Sequence, residues 1–227
     1  MFVRLVIIRH GTSIWNQLNK FTGWTDVPLS KEGYIEAKKA GKILKKNRIT
    51  FDVAYTSFLK RAIHTLWEVL KEIDKSWIPV YKTWNLNERH YGALQGLNKE
   101  EVSKEYGKDQ VELWRRSFKI KPPSLKENSV FMKDVRYNTI IKKNFPDSES
   151  LEDTLKRVVP LWKEEIKPKI KRKNKVLIVA HGNSLRALAK HLENISEESI
   201  SKLNIPTAKP IVYEFDRNID VINRYYL

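Results

Sequence analysis

Short apolar runs alternate along the chain with longer stretches in which apolar residues return every three or four positions. Val3 to Ile8 is short, rich in β-branched residues and apolar but for Arg4, which suits a strand covered on both faces of a parallel sheet. Ser30 then opens a helical pattern in "SKEGYIEAKKAGKILKKN", with Ala37, Ala40, Ile43 and Leu44 on one face and Asn47 as its stop. "FDVAYTS" reads as a second strand. Ser57 is expected to cap the helix that follows, whose buried stripe is Leu59, Ala62, Ile63, Leu66, Leu70 and Ile73. "WIPVYKTW" and "VLIVAHG" read as further strands, and "PIVYEF", "DRN" and "IDVINRYY" as a closing hairpin.

Strands alternating with helices predict an α/β fold, a three-layer α/β/α sandwich. Its central sheet is expected to be mostly parallel, with one antiparallel edge strand and helices on both faces. No Gly/Ser-rich or Pro-rich linker divides the 227 residues, so residues 1–227 are expected to form a single domain. Residues 87–147 have weak periodicity, two or three short helices and the polar stretch "KIKPPSLKENSVFMKD". This insertion reads as a lid over whatever lies at the sheet edge.

Composition narrows the classes. A hydrophobic content of 41% suffices for a core, and no apolar run approaches the length of a membrane span. The N-terminus lacks a signal-peptide pattern, so a soluble, cytoplasmic protein is expected. With no cysteine, disulfides, thiolate catalysis and cysteine-ligated zinc are excluded. The formal net charge of +16 raises the possibility of nucleic-acid binding. Its lysines, however, are scattered over helical patterns, and the densest run, "KPKIKRKNK", joins a helix to a strand. That run is read as a solvated connection, and the positive field as one that serves a small anionic substrate.

Two strands end alike, in "LVIIRHGTS" and "VLIVAHGNS". Ligands of open α/β sheets sit beyond the carboxyl ends of the strands, where both His-Gly pairs fall. Gly11 permits a sharp turn and a close backbone approach, and Thr12 and Ser13 are expected to open a helix whose free N–H groups attract an anion. Arg9 beside His10 favours a neutral, nucleophilic imidazole. With His181 aimed at the same place, the pair points to phosphoryl transfer: one ring attacks phosphorus, and the other, protonated, steadies the equatorial oxygens. A metal site is the rival, but His10, His64, His90, His181 and His191 show no HExxH-like spacing, and none is expected. Arg61, one turn into a helix after "FDVAYTS", is placed to bind phosphate oxygens, and Lys99, Arg115 and Arg116 add cations from the insertion. Glu88 in "NERHYG" is a candidate general base that returns its proton as acid.

"RHGTSIWN", "FTGWTDVPLS", "LNERHYGALQGLNK", "WRRS", "AHGNSLRAL" and "LNIPTAKPIVYE" resemble the cofactor-dependent phosphoglycerate mutases of the histidine phosphatase superfamily, from about Phe2 to Leu227. The resemblance implies interconversion of 3-phosphoglycerate and 2-phosphoglycerate in glycolysis and gluconeogenesis, primed by 2,3-bisphosphoglycerate and independent of metal. It makes His10 the phosphorylated nucleophile, His181 its partner and Glu88 the proton donor and acceptor, with Arg9 and Arg61 completing the catalytic set. Ser13 and Asn16 would stand at the phosphoryl site. Thr22, Gly23, Arg89, His90 and Tyr91 would hold the rest of the ligand, with Lys99, Arg115, Arg116, Gly182 and Asn183. Phosphoglycerates rather than nucleic acid or membrane are the implied partners, with a homodimer or homotetramer as the assembly. The sequence departs from the family at Thr12, where Glu or Gln is usual, at Asn85, where Arg is usual, and at Ala208, where Gly is usual. It also stops at "NRYYL", where many members continue with a tail that helps close the site. A shorter tail admits water to a phosphohistidine, so a phosphatase of the same superfamily is the alternative.

Overall fold

A computed structural model describes residues 3–125, 133–138 and 145–227. Strand β1 (Val3–Arg9) leads through the short helix α1 (Ile14–Gln17) to α2 (Lys31–Lys46), β2 (Val53–Thr56), α3 (Lys60–Glu72) and β3 (Val80–Lys82). The insertion carries α4 (Lys99–Tyr106) and α5 (Lys108–Arg116), and α6 (Leu151–Leu161) continues through a wide turn at Trp162–Ile166 into α7 (Lys167–Lys171). After β4 (Val176–Ala180) come α8 (Gly182–Glu193), α9 (Glu197–Lys202), β5 (Ile211–Phe215) and β6 (Val221–Tyr226). No described helix is long and apolar enough to cross a membrane.

The sheet order is β3-β2-β4-β1-β5-β6. β1 pairs in parallel with β4, which pairs in parallel with β2 and so on to β3, whereas β5 runs antiparallel to β1 and forms a hairpin with β6 at the edge. Alternation along the two central strands builds the layers. Leu5, Ile7, Ile178 and Ala180 pack with Val158, Leu161, Leu185 and Leu188 of α6 and α8. Val6, Ile8, Leu177 and Val179 pack on the other face with Ala40, Leu44, Leu66 and Val69 of α2 and α3. A smaller core of Phe21, Leu94, Val102, Val111 and Trp114 holds α4 and α5 together beside the sheet edge.

Local expectations meet particular corrections. Ser30 caps α2 by accepting from Gly33 N–H, and Asn47 ends it. Ser57, by contrast, is not the cap of α3. The helix begins two residues later, after Leu59, and Asp26 from a distant loop accepts the Lys60 N–H instead. In α3, Arg61 and Thr65 are buried while Ile63 is half-buried, so the inward face is partly polar. "WIPVYKTW" yields a three-residue strand, because Pro79 lacks a donor and Thr83 caps a tight turn over Trp84–Leu86. Ala208 has φ +47°, a left-handed conformation that an alanine adopts at a cost, and its N–H donates to the Arg9 carbonyl. The expected lid stretch "KIKPPSLKENSVFMKD" lies partly outside the described residues.

Candidate active site

In the β1–β4 pairing Arg9 stands opposite Ala180, so the two histidines leave neighbouring strands side by side. The His10 N–H donates to the Ala180 carbonyl at 2.9 Å, and the two imidazole centroids are 4.9 Å apart. Gly11 is required by packing. A Cβ there would fall 2.3 Å from the Gly33 carbonyl oxygen, and one on Gly33 would fall 2.1 Å from that of Thr12. The two glycines let the turn after His10 lie directly on the first turn of α2.

His10 Nδ1 lies 2.7 Å from the Gly11 carbonyl, a contact that fixes the proton on Nδ1 and leaves the Nε2 lone pair facing outward from the backbone. Burial, then Arg61 and Arg9, hold its pKa well below the usual histidine value. His181 is held low in the same direction by burial, Arg61 and His10. Both rings are therefore neutral near pH 7 in the ligand-free site. His181 Nε2 meets the Ser57 hydroxyl at 2.7 Å, and its buried Nδ1 has no hydrogen-bond partner among the described residues. Ser57 thus belongs to the site through a residue far along the chain, and the local capping pattern conceals this.

The expected anion-binding N–H groups after His10 are occupied. Thr12 N–H and hydroxyl both donate to the Glu36 carboxylate, and Ser13 N–H donates to Asn16 Oδ1. The Glu36 carboxylate from α2 stands where an anion is expected, and Ser13 is a buried cap of α1 that does not line the cavity.

A cavity of about 260 Å³ opens at this edge. From the strand ends and adjoining loops it is lined by Arg9, His10, Asn16, Thr22, Gly23 and Arg61. Lys99, Arg115 and Arg116 reach it from the insertion, and Gly182 and Asn183 from the start of α8. Glu88 and Tyr91 complete the expected set, and Glu88 is the sole carboxylate among the described residues that line it. Arg89 and His90 stand behind the wall instead. Arg89 donates to the Tyr91 hydroxyl and the Arg115 carbonyl. His90 packs edge-on against Trp24, and burial pushes its pKa to about 4. Lys20 and Arg186 also line the cavity. Their signals were the position of Lys20 directly before "FTGW" and of Arg186 one helical turn beyond Asn183.

Glu88 is held at both ends. Its Oε1 accepts from the N–H groups of Arg89 and Asn183 at 2.8 and 3.0 Å. Its backbone carbonyl accepts from Trp24 Nε1 and Arg157 Nη2. Arg157, on α6, also donates to the carbonyls of Asn85 and Asn87 and pairs with Glu149 at 2.7 Å, both side chains being buried.

Three of the cavity arginines, Arg9, Arg61 and Arg186, are held by oxygens of neutral groups. Arg9 donates to the Ile205 carbonyl, and Arg61 to those of Thr25 and Gly23. Among the described residues no carboxylate forms an ion pair with Arg9, Arg61, Arg89 or Arg186, whereas Arg115 and Arg116 share Glu112, Arg136 pairs with both Asp26 and Asp134, and Arg4, Arg157 and Arg224 each have one partner. A carbonyl fixes the direction of a guanidinium without cancelling its charge. Burial lowers Arg61 to about 10, which leaves it cationic at neutral pH. The result is a preformed positive cavity with the neutral imidazole of His10 in its wall, while His181 is fully buried beside that ring and does not itself line the cavity. Among the described residues no three His, Cys, Asp or Glu side chains are grouped to hold a metal ion.

Paired imidazoles at adjacent strand ends, under a wall of carbonyl-held guanidiniums, define the class of phosphatases and phosphotransferases. The chain belongs to the histidine phosphatase superfamily (branch 1), which it matches over residues 5–226. Similar solved structures include a mycobacterial glucosyl-3-phosphoglycerate phosphatase in complex with VO3, at 22% identity and a TM-score of 0.76, covering 99% of this chain and 97% of that one. The alpha-ribazole phosphatase of Shigella flexneri is 20% identical with a TM-score of 0.71, over 97% and 94%. A phosphoglycerate mutase from Bacillus anthracis is 25% identical with a TM-score of 0.69, over 100% and 92%.

Proposed function

We propose that the protein is a 2,3-bisphosphoglycerate-dependent phosphoglycerate mutase that works through a phosphohistidine at His10. The observation that carries this reading is the placing of one carboxylate, Glu88, in the same cavity as His10 and two sets of cations. One set, Arg9 and Arg61, acts on His10, and the other, Arg115, Arg116 and Lys99, comes from the insertion. A plain hydrolase needs an acid for its leaving group. A mutase needs, besides, a hold on the end of the ligand that is not reacting, in either orientation.

When bound, 2,3-bisphosphoglycerate would supply the phosphoryl group that His10 carries. The residues fit such a ligand, because among the described residues the buried Nε groups of Arg9 and Arg186 lack partners, and Arg9, Arg61 and Arg186 form no ion pair with a carboxylate. His10 Nε2 attacks phosphorus, the P–O bond to the sugar-acid oxygen breaks, and Glu88 returns a proton to that oxygen. In the reverse transfer Glu88 takes the proton of the receiving hydroxyl as its oxygen bonds to phosphorus and the N–P bond breaks. His181 is neutral before ligand arrives. The dianionic phosphoryl group raises its pKa, and the imidazolium then donates to an equatorial oxygen. Arg9 and Arg61 hold the remaining oxygens. The scheme requires no metal.

Incubation with 3-phosphoglycerate and a trace of 2,3-bisphosphoglycerate is expected to yield 2-phosphoglycerate. Release of inorganic phosphate without 2-phosphoglycerate would instead identify a phosphatase of the same superfamily. His10→Ala is expected to remove both turnover and acid-labile phosphoryl labelling, and a label that persists would place the nucleophile elsewhere.

A further inference from the structure

Arg186 follows Asn183 by three residues on α8, so the two side chains share a face of the helix. It is 3% exposed. Its Nη1 donates to Asn183 Oδ1 at 2.8 Å, and its Nη2 to the carbonyls of Ile200 on α9 and Arg116 at the end of α5, at 2.6 and 3.3 Å. One side chain therefore ties the start of α8, the last turn of α5 and α9 together beside the cavity it lines. Its Nε is buried without a partner, and no carboxylate pairs with it among the described residues.

A buried cation without a counter-ion is destabilising, and here the neighbours that act on it most are Arg89 and Arg116, of the same sign. The three oxygens that Arg186 bonds fix its direction without cancelling its charge, and its unpartnered Nε in the cavity wall leaves a place for an anion to complete it. Arg186 bonds to Asn183 and to the Arg116 carbonyl at the end of α5, and not to His10, Arg9 or Arg61, so it is assigned to an anion other than the group being transferred.

We propose that Arg186 is a specificity-determining residue, which fixes Asn183 and the end of α5 and supplies charge to the ligand's second, non-transferred anionic group. This rests on the reading of His10 as the phosphoryl acceptor, though not on the identity of the product. The test compares binding of inorganic phosphate and of 3-phosphoglycerate by calorimetry in the wild type, Arg186→Gln and Arg186→Lys.

The wild type is expected to prefer 3-phosphoglycerate. Arg186→Gln should reduce that affinity about tenfold or more while phosphate affinity changes by less than about twofold, and Arg186→Lys should lose about threefold because a single-point ammonium replaces a planar fork. Should the glutamine variant fail to fold, the lysine variant carries the same comparison. Equal losses for both probes would reduce Arg186 to a packing role, and an unchanged preference, or none in the wild type, would also overturn the proposal. The mutase reading fails separately, if 3-phosphoglycerate binds with this preference but is not converted to 2-phosphoglycerate.

Discussion

An imidazole buried among guanidiniums is neutral in the folded chain and protonated in an acidic unfolded one, and this difference has a measurable sign. His10 and His181 are held well below the ordinary histidine value, and His90 is pushed to about 4. As pH falls through the unfolded value of about 6.5, the unfolded state takes up protons that the folded state refuses. Stability is therefore fully present above that value and declines as pH falls towards the folded values, by up to about 1.4 kcal/mol per pH unit for each such histidine. Urea midpoints measured from pH 7.5 down to 4.5 should fall, and a flat profile would contradict the burial of neutral rings. The acid limb of kcat/KM should likewise lie below the usual histidine range, since His10 attacks only when unprotonated. At this scale the sequence shows His10, His181, Arg61 and Glu88 plainly, because strand ends and helix starts locate them. It conceals Ser57, whose partner His181 is distant in sequence, and shows Arg186 only by its place one turn beyond Asn183, not by its bond to the distant Arg116 carbonyl.

Among the elements, α6 is the one whose sequence pattern says least about its task. Its apolar residues Leu151, Val158 and Leu161 pack on the sheet. Yet the same face turns Arg157 inward, where it grips the loop around Glu88 through three of its carbonyls and pairs with Glu149. A charged residue beside an apolar stripe is ordinarily at the solvent boundary, so periodicity does not separate this arginine from a surface one. Arg157→Met should lower stability by roughly 3–5 kcal/mol, because it strands a buried Glu149 carboxylate, and Glu149→Gln in the same chain should recover part of the loss. Denaturant midpoints of the single and double variants check this. Strand positions were legible for a simpler reason: runs buried on both faces admit few polar residues. β3 falls short of its apolar run because backbone donors, not hydropathy, decide where pairing stops.

For the whole molecule, the formal net charge of +16 is spread along the chain, and seven of its Lys and Arg residues line the cavity. Long-range attraction of an anionic substrate weakens as the Debye length shortens from about 14 Å at 0.05 M salt to about 6 Å at 0.3 M. KM for a phosphoglycerate should rise several-fold over that range while kcat stays nearly constant, and a salt-independent KM would mean that the distributed lysines play no part in capture. The layers and the sheet edge that carries the site were readable from alternating strands and helices; the exact cavity wall was not, because it is assembled from segments between Arg9 and Ile205. The pairing of β1 with β4 has one further consequence. As the chain leaves the ribosome, the first histidine must wait for nearly the whole remainder of the polypeptide before the second can join it. No nascent or truncated fragment ending before β4 holds half a working centre, and a fluctuation that separates the two rings must tear the middle of the sheet. Competence for chemistry thus waits on the pairing of β1 with β4, and amide protection at the His10 N–H, bonded to Ala180, is its natural reporter.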